Sequence, residues 1–248
     1  MVERALSLEY PPEHLLFMDK TPEAMIKTGD ALLRLGKSVI TFRGRPVLDI
    51  GCGYGRMAYA LERDGFSRLY QGIDLLKQPI TWLQQNFTPV RPTFQFDHAD
   101  IANDRYNSSG ALSATDFHFP DIETPDAVFL LSVFTHMYEI EIEHYLDELA
   151  RMIDSTSVVY STFFLINDTM RDREKAGLCH FPMKHEINDH CWYFNPSDPL
   201  HAIGYDETWL RKQLLNRGLY IQAIYYGGWT GSGTALSGQD TIFISKMG

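Results

Sequence analysis

A doubly wound α/β sheet is the fold class that this 248-residue sequence predicts, and three observations predict it. An apolar strand, Val47-Leu48-Asp49-Ile50, runs directly into a turn almost bare of side chains, Gly51-Cys52-Gly53-Tyr54-Gly55, and then into a helical stretch from Arg56. Apolar strand-like runs then alternate with helical ones, the pattern of a parallel sheet. Near the C-terminus two more strand-like runs, 218–226 and 239–245, are joined by a glycine-rich connection.

Taken in order, Thr21-Pro22-Glu23 starts a helix, with threonine as cap, proline in the first turn and an acid beside it, and Gly36 lies near its end. The strand at Val47 has apolar residues for both faces, and the alternating glycines let the backbone pass close to a ligand. The helix from Arg56 stops at Gly65. Residues 69–74 form a second strand with Asp74 at its C-terminal edge, 75–87 a helix, and 93–96 a third strand. Residues 101–125 are rich in turn formers and read as a long loop, either a functional one with Tyr106 and Asn107 reaching an acceptor pocket or a solvated one with Phe117 and Phe119 anchored in the core. Residues 126–131 are apolar enough for the centre of a sheet. The helix over 139–152 buries Ile142, Tyr145, Leu146, Leu149 and Met152 at helical spacing, and its acids Glu139, Glu141, Glu143, Asp147 and Glu148 read as a solvated face. A fifth strand covers 157–165, and residues 166–204 read as an irregular insertion. Asp206 then caps a helix that Gly218 stops.

A dinucleotide-binding turn requires a third glycine where this chain has Arg56; the spacing instead gives Gly51, Gly53 and Gly55. Asp74, about 20 residues beyond the glycine turn, stands where an acid accepts hydrogen bonds from both ribose hydroxyls. With an acid before the glycines, this run resembles the first motif of class I S-adenosylmethionine-dependent methyltransferases, and residues 127–137 resemble the fourth motif of the bacterial small-molecule type. The resemblance implies a Rossmann-like doubly wound seven-stranded sheet, six strands parallel and one antiparallel, with helices on both faces. It implies S-adenosyl-L-methionine as cofactor, bound by Asp49, Gly51, Cys52, Gly53, Gly55, Arg56, Asp74, Leu75, Asp100, Ile101 and Ser132. Within that set Asp49 orients the methionine amino group, Asp100 meets the adenine amino group, Ile101 flanks the ring, and Arg56 faces the methionine carboxylate or a surface acid. It also implies that residues 1–40 form a helical cover, with Met25, Ile26 and Lys27 as neighbours of the cofactor or simply packed on the sheet edge.

The acceptor question falls on the lid-like insertion 166–204, on the side of the sheet where open α/β folds bind ligands. Its His180, His185, Trp192 and Tyr193, with Tyr106, are expected to bind a ring-shaped, hydroxyl-bearing small molecule such as a sugar or a secondary metabolite. His136, a few residues after the fourth strand, is the expected catalytic base for a hydroxyl acceptor, with the lid histidines competing for that role. Cys179, His180, His185, His190 and Cys191 are zinc-ligand types, but the paired short spacings of structural zinc sites are absent, and no metal is expected.

One domain, 1–248, is expected from the length. A formal net charge of −10 without a basic stripe argues against nucleic acid, and no run approaches the ~18 apolar residues of a membrane span. Met1-Val2-Glu3-Arg4-Ala5-Leu6 lacks the pattern of a signal peptide, and three cysteines make no disulfide framework, so a cytoplasmic location is expected. The alternatives are N-methylation of a small amine, a nicotinamide-dependent oxidoreductase on the same sheet, and a non-catalytic S-adenosylmethionine-binding protein. The oligomeric state is open.

Overall fold

A computed structural model describes residues 8–233, 235 and 237–248. The six residues on which the signal-peptide reading rests lie outside them.

Helix α1 (Pro22–Lys37) begins as its sequence dictates, the Thr21 hydroxyl accepting from the amide of Ala24 at 3.2 Å. Strands β1 (Val47–Ile50), β2 (Tyr70–Asp74), β3 (Phe94–His98), β4 (Ala127–Leu130) and β5 (Val158–Phe163) follow, with helices α2 (Arg56–Arg63), α3 (Lys77–Asn86) and α4 (Glu139–Met152) between them. After β5 come β6 (Leu165–Ile166), α5 (Asp168–Lys175), β7 (His185–Asn188), β8 (Cys191–Tyr193), β9 (Ile203–Asp206), α6 (Glu207–Leu215), β10 (Leu219–Tyr225) and β11 (Asp240–Lys246).

The main sheet has the order β10-β11-β5-β4-β1-β2-β3. β11 runs antiparallel to both of its neighbours and the remaining pairs are parallel, so six strands point one way and one is reversed. Alternate residues divide between two cores: Leu48, Ile50, Val128 and Leu130 pack with α4 and α6, whereas Val47, Phe129, Tyr160 and Phe243 pack with α1, α2 and α3. The sheet is therefore covered on both faces. The chain order reverses between β1 and β4, and the crevice beyond their C-terminal ends is where such a sheet takes a ligand.

The insertion is not irregular. Its strands form a second sheet, β6-β9-β8-β7, with α5 beside it. Two to four residues per strand leave too little alternation to show a period in the sequence. Buried Asp240, at the start of β11, anchors this second sheet to the first. Its carboxylate accepts from the amides of Leu165 (2.7 Å) and Gly227 (2.6 Å) and from the indole of Trp229 (2.9 Å). Burial pushes its carboxyl up to about 6.

The acids of α4 do not all form a solvated face. Glu148 is buried and accepts from the amide of Phe119 at 2.8 Å and from Arg151 at 2.9 Å, and these donors hold its carboxyl down at about 2. Glu141 completes a capping box, accepting from the amide of Tyr138 at 2.7 Å.

Candidate active site

A cavity of about 1520 Å³ lies over the C-terminal ends of β1, β2 and β4. It exceeds the ~300–1,000 Å³ of a single small-ligand site, leaving room for a donor and an acceptor together.

One end is built around the glycine turn. Gly51, Gly53 and Gly55 have φ of +74°, +57° and +84°, a region closed to most side chains. A Cβ on Gly51 would stand 2.5 Å from Val133 Cγ2, and one on Gly55 would stand 2.9 Å from Leu83 Cδ2, so both positions exclude larger residues. Asp74 clamps the turn to β2, accepting from the amides of Gly53 and Leu76, each at 2.7 Å. Asp49 is buried and accepts from the Tyr70 hydroxyl at 2.5 Å. Burial, with a smaller push from Asp74, raises its carboxyl to about 7, despite the Tyr70 hydrogen bond and the charge of Arg56. Ser132 holds a left-handed backbone at φ +59° just past β4; its amide donates to Thr162 Oγ1 at 2.7 Å and its hydroxyl to Gln239 Oε1 at 3.0 Å.

This donor set suits S-adenosylmethionine. A deeply buried carboxylate at Asp49 matches an ammonium, a second at Asp74 matches paired hydroxyls, and Leu75 and Ile101 on the cavity wall match a flat ring.

The other end gathers three segments distant in sequence around His136. Its Nδ1 lies 2.7 Å from the carbonyl oxygen of Leu200. A carbonyl only accepts, so Nδ1 carries the proton and Nε2 presents its lone pair. The Tyr106 hydroxyl stands 3.4 Å from that Nε2, the two rings meet edge to face at 5.3 Å, and Asn103 donates to the backbone oxygen of His136 at 3.1 Å. Arg105 pairs with Asp198 and so ties the loop after β3 to the insertion. Burial first, then the charges of Arg105 and His201, lowers the imidazole to about 4, although the Leu200 carbonyl opposes this. The ring is neutral at physiological pH. From His201, whose charge acts on His136, the rings of Phe181 (6.2 Å) and Phe164 (5.8 Å) follow in turn, and all three line the cavity.

Of the residues singled out from sequence, Asp49, Gly51, Cys52, Gly53, Arg56, Asp74, Leu75, Ile101, Ser132, Tyr106 and His136 line the cavity. Gly55 sits just behind the wall, shaping the turn. Asp100 does not line it: it is exposed and accepts from Asn107 Nδ2 at 2.9 Å, and Asn107 is spent on that contact and on the Ile101 carbonyl. Arg56 is turned to the N-terminal segment, its Nε 3.0 Å from Asp19 and its Nη2 2.9 Å from the Tyr54 hydroxyl.

His180, His185, Trp192 and Tyr193 are not brought to the cavity. His185 stacks on Tyr193 within the hairpin at 5.1 Å, Trp192 lies under the Arg171 guanidinium at 4.3 Å, and His180 gives its amide to the Trp229 carbonyl. The insertion folds as a sheet of its own, and the side chains of its hairpin are spent on packing, Cys191 and Tyr193 against the main core and Trp192 against a smaller cluster. Phe181 and His201 reach the cavity in their place, and only their membership of the insertion signalled it. Helix α1 lines the cavity through Thr28, Ala31, Leu32 and Leu35, at helical spacing, while Met25 is wholly buried in the core.

Among the described residues no helix is long and apolar enough to cross a membrane, and no three His, Cys, Asp or Glu residues converge as a metal site.

A family model described as a methyltransferase domain matches residues 20–202. Among solved structures, the chain is similar in fold to the PH0226 protein of Pyrococcus horikoshii OT3, at 15% identity and a TM-score of 0.59, over 96% of this chain and 100% of that one. The CcbJ methyltransferase of Streptomyces caelestis aligns at 11% identity and 0.58, over 90% of each chain. The 1,6-didemethyltoxoflavin-N1-methyltransferase of Burkholderia thailandensis, solved with 1,6-didemethyltoxoflavin and S-adenosylhomocysteine, aligns at 15% and 0.55, over 95% of this chain and 84% of that one.

Proposed function

The chain belongs to the methyltransferase-domain family, whose methyl donor is S-adenosylmethionine, and from that premise we propose that it methylates a hydroxyl oxygen of a small ring-bearing molecule, with His136 as the base. The single observation that carries this reading is the His136 tautomer, locked by Leu200 with Nε2 turned toward the cavity. When bound, S-adenosylmethionine supplies an electrophilic methyl group on its sulfonium. The chain supplies the rest. Asp49 and Asp74 hold the donor's charged and hydroxyl groups, and the glycine turn lets the backbone approach it. Tyr106 aims at Nε2 and helps to orient an acceptor hydroxyl there, and His136 takes the proton that the hydroxyl loses. A neutral imidazole of lowered basicity suits a phenolic or otherwise acidified hydroxyl.

Phe164, Phe181 and Tyr106 favour a flat or ring-shaped acceptor, a secondary metabolite ahead of a sugar. The bound 1,6-didemethyltoxoflavin of the Burkholderia thailandensis relative supports a small-molecule acceptor. In this reading the whole chain acts as one domain, with the helical cover up to residue 40 closing the donor end and the insertion 166–204 closing the acceptor end. Three free thiols, Cys52, Cys179 and Cys191, fit a cytoplasmic location.

The test is incubation with S-adenosylmethionine and a panel of phenols, sugars and amines, followed by mass spectrometry. A one-methyl mass gain on phenols, lost in His136→Asn, is the expected result. Gain on amines alone, unaffected by that substitution, overturns the oxygen reading.

A further inference from the structure

The acceptor end carries a negative charge that no described residue balances. Glu141, on the first turn of α4, lines the cavity with Asn103, Tyr106, His136 and Tyr145 and is half-buried. Hydrogen bonds set its place beside His136. Its Oε2 accepts from the amide of Tyr138 at 2.7 Å, two residues past His136, whose own backbone oxygen accepts from Asn103 Nδ2 at 3.1 Å. Oε1 has no hydrogen-bond partner among the described residues. Burial raises the carboxyl, the Tyr138 amide opposes this, and the one charge acting on it, that of Asp104 next to Asn103, is of like sign. Arg105 lines the same end, but it is paired with Asp198 and does not act on Glu141.

Capping of α4 does not call for this charge, because a glutamine completes a capping box as well as a glutamate. A half-buried carboxylate oxygen without donor or cation costs free energy unless a ligand supplies one. An aliphatic amine is protonated at neutral pH and supplies both, a positive charge and three N–H donors. Phe117 and Tyr145, their rings 6.1 Å apart on the cavity wall, give apolar surface for the carbon frame that carries it.

We propose that Glu141 selects an acceptor bearing a protonated amine in addition to its hydroxyl, the ammonium donating to Oε1 while the hydroxyl stands at His136 Nε2. This rests on the His136 end being the acceptor site. As an ammonium the nitrogen has no lone pair with which to attack the methyl group, so it is held while the oxygen is methylated.

The test is calorimetric titration of three aminophenols and one uncharged phenol into the full chain saturated with S-adenosylhomocysteine. The amines are 4-hydroxybenzylamine, tyramine and 3-(4-hydroxyphenyl)propylamine, whose arms differ in reach, and the uncharged compound is 4-propylphenol. Wild type, Glu141→Gln and Asp104→Asn are compared at neutral pH, and methyl transfer from S-adenosylmethionine to the same compounds is followed by mass spectrometry. Wild type should bind the best of the amines about tenfold or more tighter than 4-propylphenol, a hydrogen bond between charged groups being at stake. Glu141→Gln should erase that preference, whereas Asp104→Asn, which removes an exposed and screened charge, should lower it by no more than about twofold. No preference for any amine in wild type, a preference kept in Glu141→Gln, or one lost equally in Asp104→Asn overturns the proposal, as does a methyl group found on the nitrogen. Glu141-dependent binding of the amines without methyl transfer to any phenol overturns the hydroxyl reading instead and leaves the ammonium site standing. Binding of none of the four compounds overturns both.

Discussion

The two ends of the cavity are made in opposite ways. The donor end is assembled largely from residues 49–76, where a strand, a glycine turn, a helix and a second strand bring Asp49, the turn and Asp74 together by local chain geometry. The acceptor end is assembled from Asn103 and Tyr106 after β3, His136 after β4, and Leu200 and His201 from the insertion, held by contacts across 30 to 64 residues. Local construction makes a fixed receptor for a constant cofactor. Construction from three loops makes a site that can change with its acceptor while the donor end stays the same.

The largest expected effect breaks the acceptor end alone. His136→Asn should lower kcat by about 10²–10⁴-fold, the contribution of general-base catalysis, while S-adenosylhomocysteine affinity is unchanged. Steady-state kinetics beside calorimetry checks both halves of that statement. Gly51→Ala should do the reverse. Its Cβ overlaps Val133 and the backbone stands at φ +74°, so donor affinity should fall by about a hundredfold or more, with a stability loss of about 3 kcal/mol in thermal unfolding.

Asp49 sharpens the contrast through pH. Its carboxyl titrates at about 7 without ligand, and a cationic donor binds its charged form. Donor affinity should therefore fall about tenfold per unit below pH 7 and level off above it, with proton release on binding near neutrality. Phosphate and imidazole buffers of different ionisation heat reveal that proton. The acceptor end responds in a different window. His136 is held at about 4 in the fold against an ordinary value near 6.5, so the fold favours the neutral ring. Its contribution to stability is complete above pH 6.5 and is lost as pH falls toward 4. Thermal midpoints of wild type should drop more steeply across that window than those of His136→Asn. The smallest effect is that of Tyr106→Phe, which removes one long hydrogen bond at 3.4 Å and should lower kcat only a few-fold.

The same contrast explains what was legible in the sequence. The strands of the main sheet and the glycine turn follow from patterns carried by contiguous residues, the six-to-one strand directions follow from the family resemblance, and the structure has them. The second sheet was not legible because its strands are too short to show a period. Glu148 reads as surface in the sequence because the donors that satisfy it, Arg151 apart, come from a loop 29 residues away. His136 could be placed by its distance from β4, but its fixed tautomer depends on Leu200, 64 residues further on. His201 and Phe181 belong to the insertion, yet nothing in their spacing separates them from His185 and Trp192, which do not line the cavity.

The most direct test of two independently built ends is titration of S-adenosylhomocysteine into the wild-type protein and into His136→Asn side by side. The account predicts the same affinity for both; loss of binding in the variant would contradict it, because the donor end would then depend on the acceptor end.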